Sequence, residues 1–161
     1  MENPLEGLKK FFDRLAGVPI LEWAYALPQF RITKLKKGEF FFKLGEPATR
    51  LGVLMNGLGM TYYTLSDGKK KIRRFLVAQD PCASYPAITE QGLATDTFEA
   101  LEDCIIAWIE YSAYEKLLER HICWERITRK SLEDEIKKRE KKEYELFTLS
   151  AAERLNIFTK E

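Results

Sequence analysis

LKKGEFFFKLGEPATRLGVLMNG, residues 35–57, and LGMTYYTLSDGKKKIRRFLV, residues 58–77, open the stretch Leu35–Leu101, whose reading decides the fold. Short runs of aromatic and branched residues are cut at regular intervals by Gly38, Gly45, Gly57, Asp67-Gly68 and Pro81. Runs of this kind bounded by turn residues read as strands, and their close spacing suits a closed sandwich or barrel rather than a parallel sheet. No run of ten or more residues inside the stretch has helical period. Asn56-Gly57 suits the left-handed conformations of a tight turn, and Ser66-Asp67-Gly68 closes a hairpin. The expected fold is mainly β: an antiparallel β-roll of the jelly-roll or double-stranded β-helix type. Its strands fall at about Phe30–Leu35, Phe40–Leu44, Gly52–Met55, Met60–Leu65 and Ile72–Val77, with a last hairpin of Thr95–Leu101 and Cys104–Glu110 turning at Glu102-Asp103.

Helical spacing appears on both sides of the roll. Leu5, Leu8, Phe11, Phe12 and Leu15 share one face of a helix that Gly17 to Pro19 stops, and a second short helix runs from about Leu21 to Leu27. Both are expected to cap the roll. Ser112 with Glu115 three residues on is a capping-box signature for a helix Ala113–Glu119. From His121 to about Phe147 there is no Gly or Pro, which reads as one long helix. Ile122, Ile127, Leu132 and Ile136 are candidates for a homodimer seam along it, but their steps of 5, 5 and 4 residues are not clean heptads. A helix lying on its own roll accounts for them equally. Leu149-Ser150-Ala151-Ala152-Glu153 is a second capping-box signature, opening a helix whose Leu155, Ile157 and Phe158 find no expected partner. The chain therefore divides into N-terminal helices (1–28), a roll (29–111), a helical segment with the long helix (112–148) and the start of a further domain (149–161).

Composition narrows the chemistry. The 161 residues carry 26 basic and 25 acidic side chains, a formal charge of +1 that gives no overall basic field for nucleic acid. No run approaches the roughly 18 apolar residues of a membrane helix, and no signal-peptide core precedes the first helix, so a cytoplasmic protein is expected. Cys82, Cys104 and Cys123 lack CxxC spacing and read as reduced, buried thiols. With His121 as the single histidine, a cupin-type metal site is disfavoured, and no catalytic cysteine–histidine pair or P-loop is legible. No metal site and no catalytic residues are expected.

Lys36-Lys37-Gly38-Glu39, Gly45-Glu46-Pro47, Leu54-Met55-Asn56-Gly57, Asp67-Gly68-Lys69 and Phe98-Glu99-Ala100-Leu101-Glu102-Asp103 follow one another as in the cyclic-nucleotide-binding roll of the Crp/Fnr transcription regulators. The ordered series resembles that family from about Phe30 to the chain end. The resemblance implies a sensory domain that binds an effector without catalysis, a long helix that pairs with its twin in a homodimer, and contact with DNA only through a C-terminal domain. Ser150-Ala151-Ala152-Glu153-Arg154 resembles the opening of that winged helix-turn-helix domain, so the chain is expected to end where the DNA reader would begin.

The resemblance also implies a phosphate-binding cassette between Asp80 and Thr95. There the family uses a Gly-Glu at the start of a short helix, whose amides hold the phosphate while the Glu takes the ribose hydroxyl, and an Arg followed by a small residue. In this chain the Gly-Glu positions hold Ser84 and Tyr85, and the Arg-Ser positions hold Ala94 and Thr95. An unpaired buried phosphate costs several kcal/mol, so a cyclic nucleotide is not expected in the usual mode. Three alternatives stay open: a cassette filled by its own side chains, a different small-molecule effector, or a cyclic nucleotide held by a displaced arginine. Arg73 and Arg74 are the first cations to consider, and Thr128 and Ser131 are candidate contacts if the long helix closes the pocket.

Overall fold

The computed structural model describes residues 3–160. Met1, Glu2 and Glu161, counted in the expected terminal segments, lie outside them.

Two helices lead in. α1 (Pro4–Leu15) starts on Asn3, whose side chain accepts from the Leu5 amide, and α2 (Ile20–Ala26) runs into a short 3₁₀ turn at Leu27–Gln29. Eight strands follow: β1 (Arg31–Leu35), β2 (Phe40–Phe42), β3 (Arg50–Asn56), β4 (Gly59–Thr64), β5 (Lys70–Leu76), β6 (Pro81–Cys82), β7 (Thr97–Ala100) and β8 (Cys104–Glu110). They form two four-stranded antiparallel sheets in the orders β1-β8-β3-β6 and β2-β7-β4-β5. The antiparallel roll read from the sequence is the fold, and Gly38, Gly45, Gly57 and Gly68 all take positive φ at its turns. β6 and the short helix α3 (Tyr85–Thr89) occupy the loosely patterned interval before β7.

Two apolar clusters hold the molecule. One lies between the sheets, around Phe41, Phe42, Leu54, Phe98 and Ile106. The other joins the helices to the outer face of β1, β3 and β8: Leu8, Phe12, Trp23 and Phe30 meet Ile109, Trp124 and Ile127. Phe12 touches both Trp23 and Trp124 edge-on. Glu22 is 7% exposed in this cluster, where it accepts from Arg120 Nε at 3.0 and 3.1 Å and from Trp124 Nε1 at 3.4 Å. The N-terminal helices thus cap the roll and are tied by a carboxylate to the C-terminal ones.

β8 passes directly into α4 (Tyr111–Arg120), and α5 (Ile122–Thr148) follows as a 27-residue helix. The helix expected at Ala113–Glu119 starts earlier, because Tyr111 N donates to Thr49 O at the strand end; Ser112 falls inside the first turn and is not the cap. His121 is the cap of α5, its Nδ1 accepting from the Cys123 amide at 3.0 Å. The capping box at Ser150 forms as read: Glu153 N donates to Ser150 Oγ and Ser150 N to Glu153 Oε1. It opens α6 (Ala151–Lys160), which has no buried residue, as an unpartnered face implies: Leu155 and Phe158 are each 62% exposed, and the departure is one ring contact of Phe158 with Phe75, 6.2 Å between ring centres, on the outer side of β5. No described helix is long and apolar enough to cross a membrane.

Candidate functional site

β5 is the edge strand of its sheet and carries the roll's basic cluster. Strand alternation would turn only one of two successive arginines inward. A register shift between Thr61 and Tyr62 changes this: Thr61 pairs with Arg74 and Tyr62 with Ile72, leaving Arg73 without a register partner. An extra residue of this kind bends the strand and re-aims its side chains. Arg73 and Arg74 both reach the same cavity, while Ile72 turns outward.

The cavity holds about 320 Å³ between the roll and α5. Its apolar wall includes Phe11, Phe12, Phe30, Leu51, Val53 and Leu76. Ser84, Tyr85 and Thr95 border it from the cassette, and Thr128, Ser131, Leu132, Glu135, Ile136 and Arg139 from α5. Tyr114 bonds Thr128 hydroxyl to hydroxyl at 2.5 Å, and Thr128 also meets the Trp124 carbonyl. Burial pushes the Tyr114 phenol up to about 12. Thr61, 3% exposed, also lines the cavity, and its hydroxyl has no partner among the described residues.

Ion pairs join α5 to β5 at the mouth. Arg74 meets Glu135 and, at 3.8 Å, Asp80; Lys138 meets Asp80 at 3.2 Å; Lys142 donates to the Arg73 carbonyl. Arg73 also meets Asp96 at 3.3 Å, a carboxylate whose side chain is only 4% exposed. Burial and then the charges of Arg74 and Arg73 pull the Lys142 pKa down.

Residues 32–121 match the family model of the cyclic nucleotide-binding domain. The chain belongs to this family.

Among solved structures, the cyclic nucleotide-binding domain from Methylobacillus flagellatus superposes with a TM-score of 0.74 at 11% identity, covering 89% of this chain and 82% of that one. The sensor domain of the transcriptional regulator DNR from Pseudomonas aeruginosa gives 0.68 at 19%, covering 90% and 94%. The Thermus thermophilus catabolite activator protein gives 0.67 at 17%; the match covers 89% of this chain but 63% of that longer one. These likenesses establish the shared fold. No curated protein matches the chain in sequence.

The residues expected at the cassette positions sit at the start of α3 and in the loop before β7. Ser84 stands before α3 and makes no side-chain cap there, and Pro86 lacks the N–H that a second helical residue would offer an anion. Ala94 is 2% exposed in the inter-sheet cluster and does not reach the cavity; its carbonyl accepts from Gly45 N. Arg73, Arg74, Ser84, Tyr85, Thr95, Thr128 and Ser131 are brought together around the cavity, and Ala94 alone of the eight candidates is left out. Of the seam candidates, Ile127 is 2% exposed in the helix cluster, which turns it toward its own roll and away from any partner helix. Leu132 and Ile136 border the cavity, and both are exposed, as is Ile122. Thr61, Asp96 and Glu135 were not candidates. Alternation pairs Thr61 with Tyr63 on one face of β4, but which face points inward needs the register, and Asp96 falls at the start of the expected strand Thr95–Leu101, where nothing in the sequence marks it as buried.

Proposed function

We propose that this domain is the ligand-sensing part of a Crp/Fnr-like, cytoplasmic transcription regulator. It binds a small-molecule effector outside the usual cyclic AMP mode and performs no catalysis. In this reading the roll (29–111) senses, the helical segment (112–148) relays and dimerises, and residues 149–161 lead toward a DNA-binding domain. The observation that carries it is the cavity walled jointly by β4, β5, the cassette and α5. A molecule seated there touches Thr128, Ser131 and Glu135 directly, so its differential affinity for two positions of α5 would bias the helix. That the mode is not the usual one rests on Ser84, Tyr85, Pro86 and Ala94 at the cassette and on the buried Asp96.

One observation favours a second reading, a stand-alone dimerising domain with a vestigial pocket: Asp96 and Arg73 already neutralise each other at the cassette end. A thermal-shift titration with cyclic AMP, cyclic GMP and a broad metabolite panel separates the two. A site at 100 times its dissociation constant stabilises the fold by about 2.7 kcal/mol, a rise of several degrees. A shift with a metabolite other than a cyclic nucleotide is the expected result; a large shift with cyclic AMP overturns the unusual mode, and silence across the panel favours the vestigial pocket.

A further inference from the structure

We propose that the cavity takes an amphipathic carboxylic acid, its aromatic or aliphatic body among Phe11, Phe30, Tyr63 and Tyr85 and its carboxylate between Arg74, Arg139 and the Thr61 hydroxyl. The inference rests on the effector-sensing reading and gives its ligand a chemical class.

Three features carry it. The first is the wall: aromatic and branched side chains line most of a cavity near the lower end of the roughly 300–1,000 Å³ of small-molecule sites. The second is Thr61. A buried hydroxyl with no partner is rare in folded proteins, and Thr61 belongs to the cavity wall directly opposite Arg74 in the β4–β5 register. A rotation of its side chain brings that hydroxyl to the cavity surface, where a single oxygen-rich head group would meet it together with Arg74. The third is charge. At the mouth Arg73, Arg74, Lys138, Arg139 and Lys142 outnumber Asp80, Asp96 and Glu135. Burial first, and then the charges of Arg74 and Arg73, lower the pKa of Lys142 beside them. Arg139, one turn beyond Glu135, borders the cavity with no ion-pair partner among the described residues.

The head group is a carboxylate rather than a phosphate ester because the cassette end is already taken. Asp96 repels a second anion there, Arg73 is engaged by it, and Pro86 removes an amide donor. Arginine binds a carboxylate through two parallel N–H donors, so Arg74 can turn from Glu135 to the ligand without losing its charge partner. The acid would then release one of the contacts holding α5 to β5.

The test is calorimetric titration of the full chain with naphthylacetate and with its neutral amide, naphthylacetamide, alongside cyclic AMP. The expected result is that the acid binds at least about tenfold more tightly than the amide, and that Arg139→Gln, at an exposed position, and Arg74→Gln each reduce this preference severalfold. Equal binding of acid and amide overturns the carboxylate assignment while leaving the effector-sensing cavity standing. Tighter binding of cyclic AMP than of the acid overturns it together with the unusual mode. If neither probe binds, the inference fails alone where the metabolite panel shows another ligand, and fails with the sensor reading where the panel is silent.

Discussion

Thr61→Val should make the unliganded domain more stable. The Thr61 hydroxyl is buried without a partner, and an unsatisfied group of this kind costs about 1–3 kcal/mol of desolvation. Valine has the same branched shape and the same preference for a strand, so β4 keeps its pairing with β5 and β7 while a methyl replaces the orphan oxygen. Small side-chain adjustments recover part of the cost for threonine, so the expected gain is about 1 kcal/mol, which for a chain of this size raises the melting midpoint by about 2–4 °C. Thr61→Ser is the control: it keeps the hydroxyl but deletes a buried methyl, and should lose about 1 kcal/mol. Paired urea and thermal unfolding curves of the three proteins measure both differences. If Thr61→Val lowers the midpoint with the β-sheet circular dichroism unchanged, the hydroxyl makes a favourable bond in the folded state, and the argument that it awaits a ligand is wrong.

Gly57→Ala should be strongly destabilising, by about 2–4 kcal/mol, because φ is +104° and a Cβ would stand 2.4 Å from the Asp103 carbonyl oxygen. Gly68→Ala, with φ +85° and nothing near its Cβ, should lose only the strain of about 1–2 kcal/mol, and denaturant midpoints of the two variants isolate the clash. The Tyr114 phenol is held up at about 12, against an ordinary 10.0. The folded state therefore keeps a proton that the unfolded chain gives up, and stability should be whole below pH 10 and fall by about 3 kcal/mol as pH rises toward 12. Tyr114→Phe should flatten that slope in unfolding curves taken across this range, and an unchanged slope refutes the assignment. Glu22→Ala should cost about 1–3 kcal/mol by leaving the buried Trp124 indole N–H without an acceptor, whereas Glu22→Gln, which keeps one, should cost less; tryptophan fluorescence during urea unfolding reads both.

The fold was legible because its punctuation is local. Gly38, Gly45, Gly57 and Gly68 mark turns whatever the tertiary context; all four take positive φ, which the sequence implied at Gly57 and Gly68. The α5 span was readable for the same reason, from 121 to 148 without a breaker. The site was legible only in part, since it depends on relations between strands. That Arg73 and Arg74 both face the cavity follows from a bulge, and no sequence pattern distinguishes a bulged β5 from a regular one. Ser112 shows the limit of motif reading: its capping box is intact as letters, yet with a backbone bond from Tyr111 to Thr49 α4 starts two residues earlier. Phe158 looked unpartnered because its neighbour, Phe75, lies more than eighty residues away in the chain.

α5 is embedded at one end only. Cys123, Trp124 and Ile127 are its buried residues, and beyond them it meets the roll through side chains that are mostly polar or charged. Taken as a straight rod, it would pivot near Ile127, its last buried residue. At 1.5 Å of rise per residue, Glu135 lies about 12 Å along the rod from that pivot and Thr148 about 32 Å. A sideways step of about 1 Å at Glu135 would therefore swing the far end by between about 2 and 3 Å, if the rod stays straight. The gain is set by the distance between the last buried residue and the first ionic contact. Moving the apolar anchor one turn toward Glu135 would shorten the inner arm and raise it.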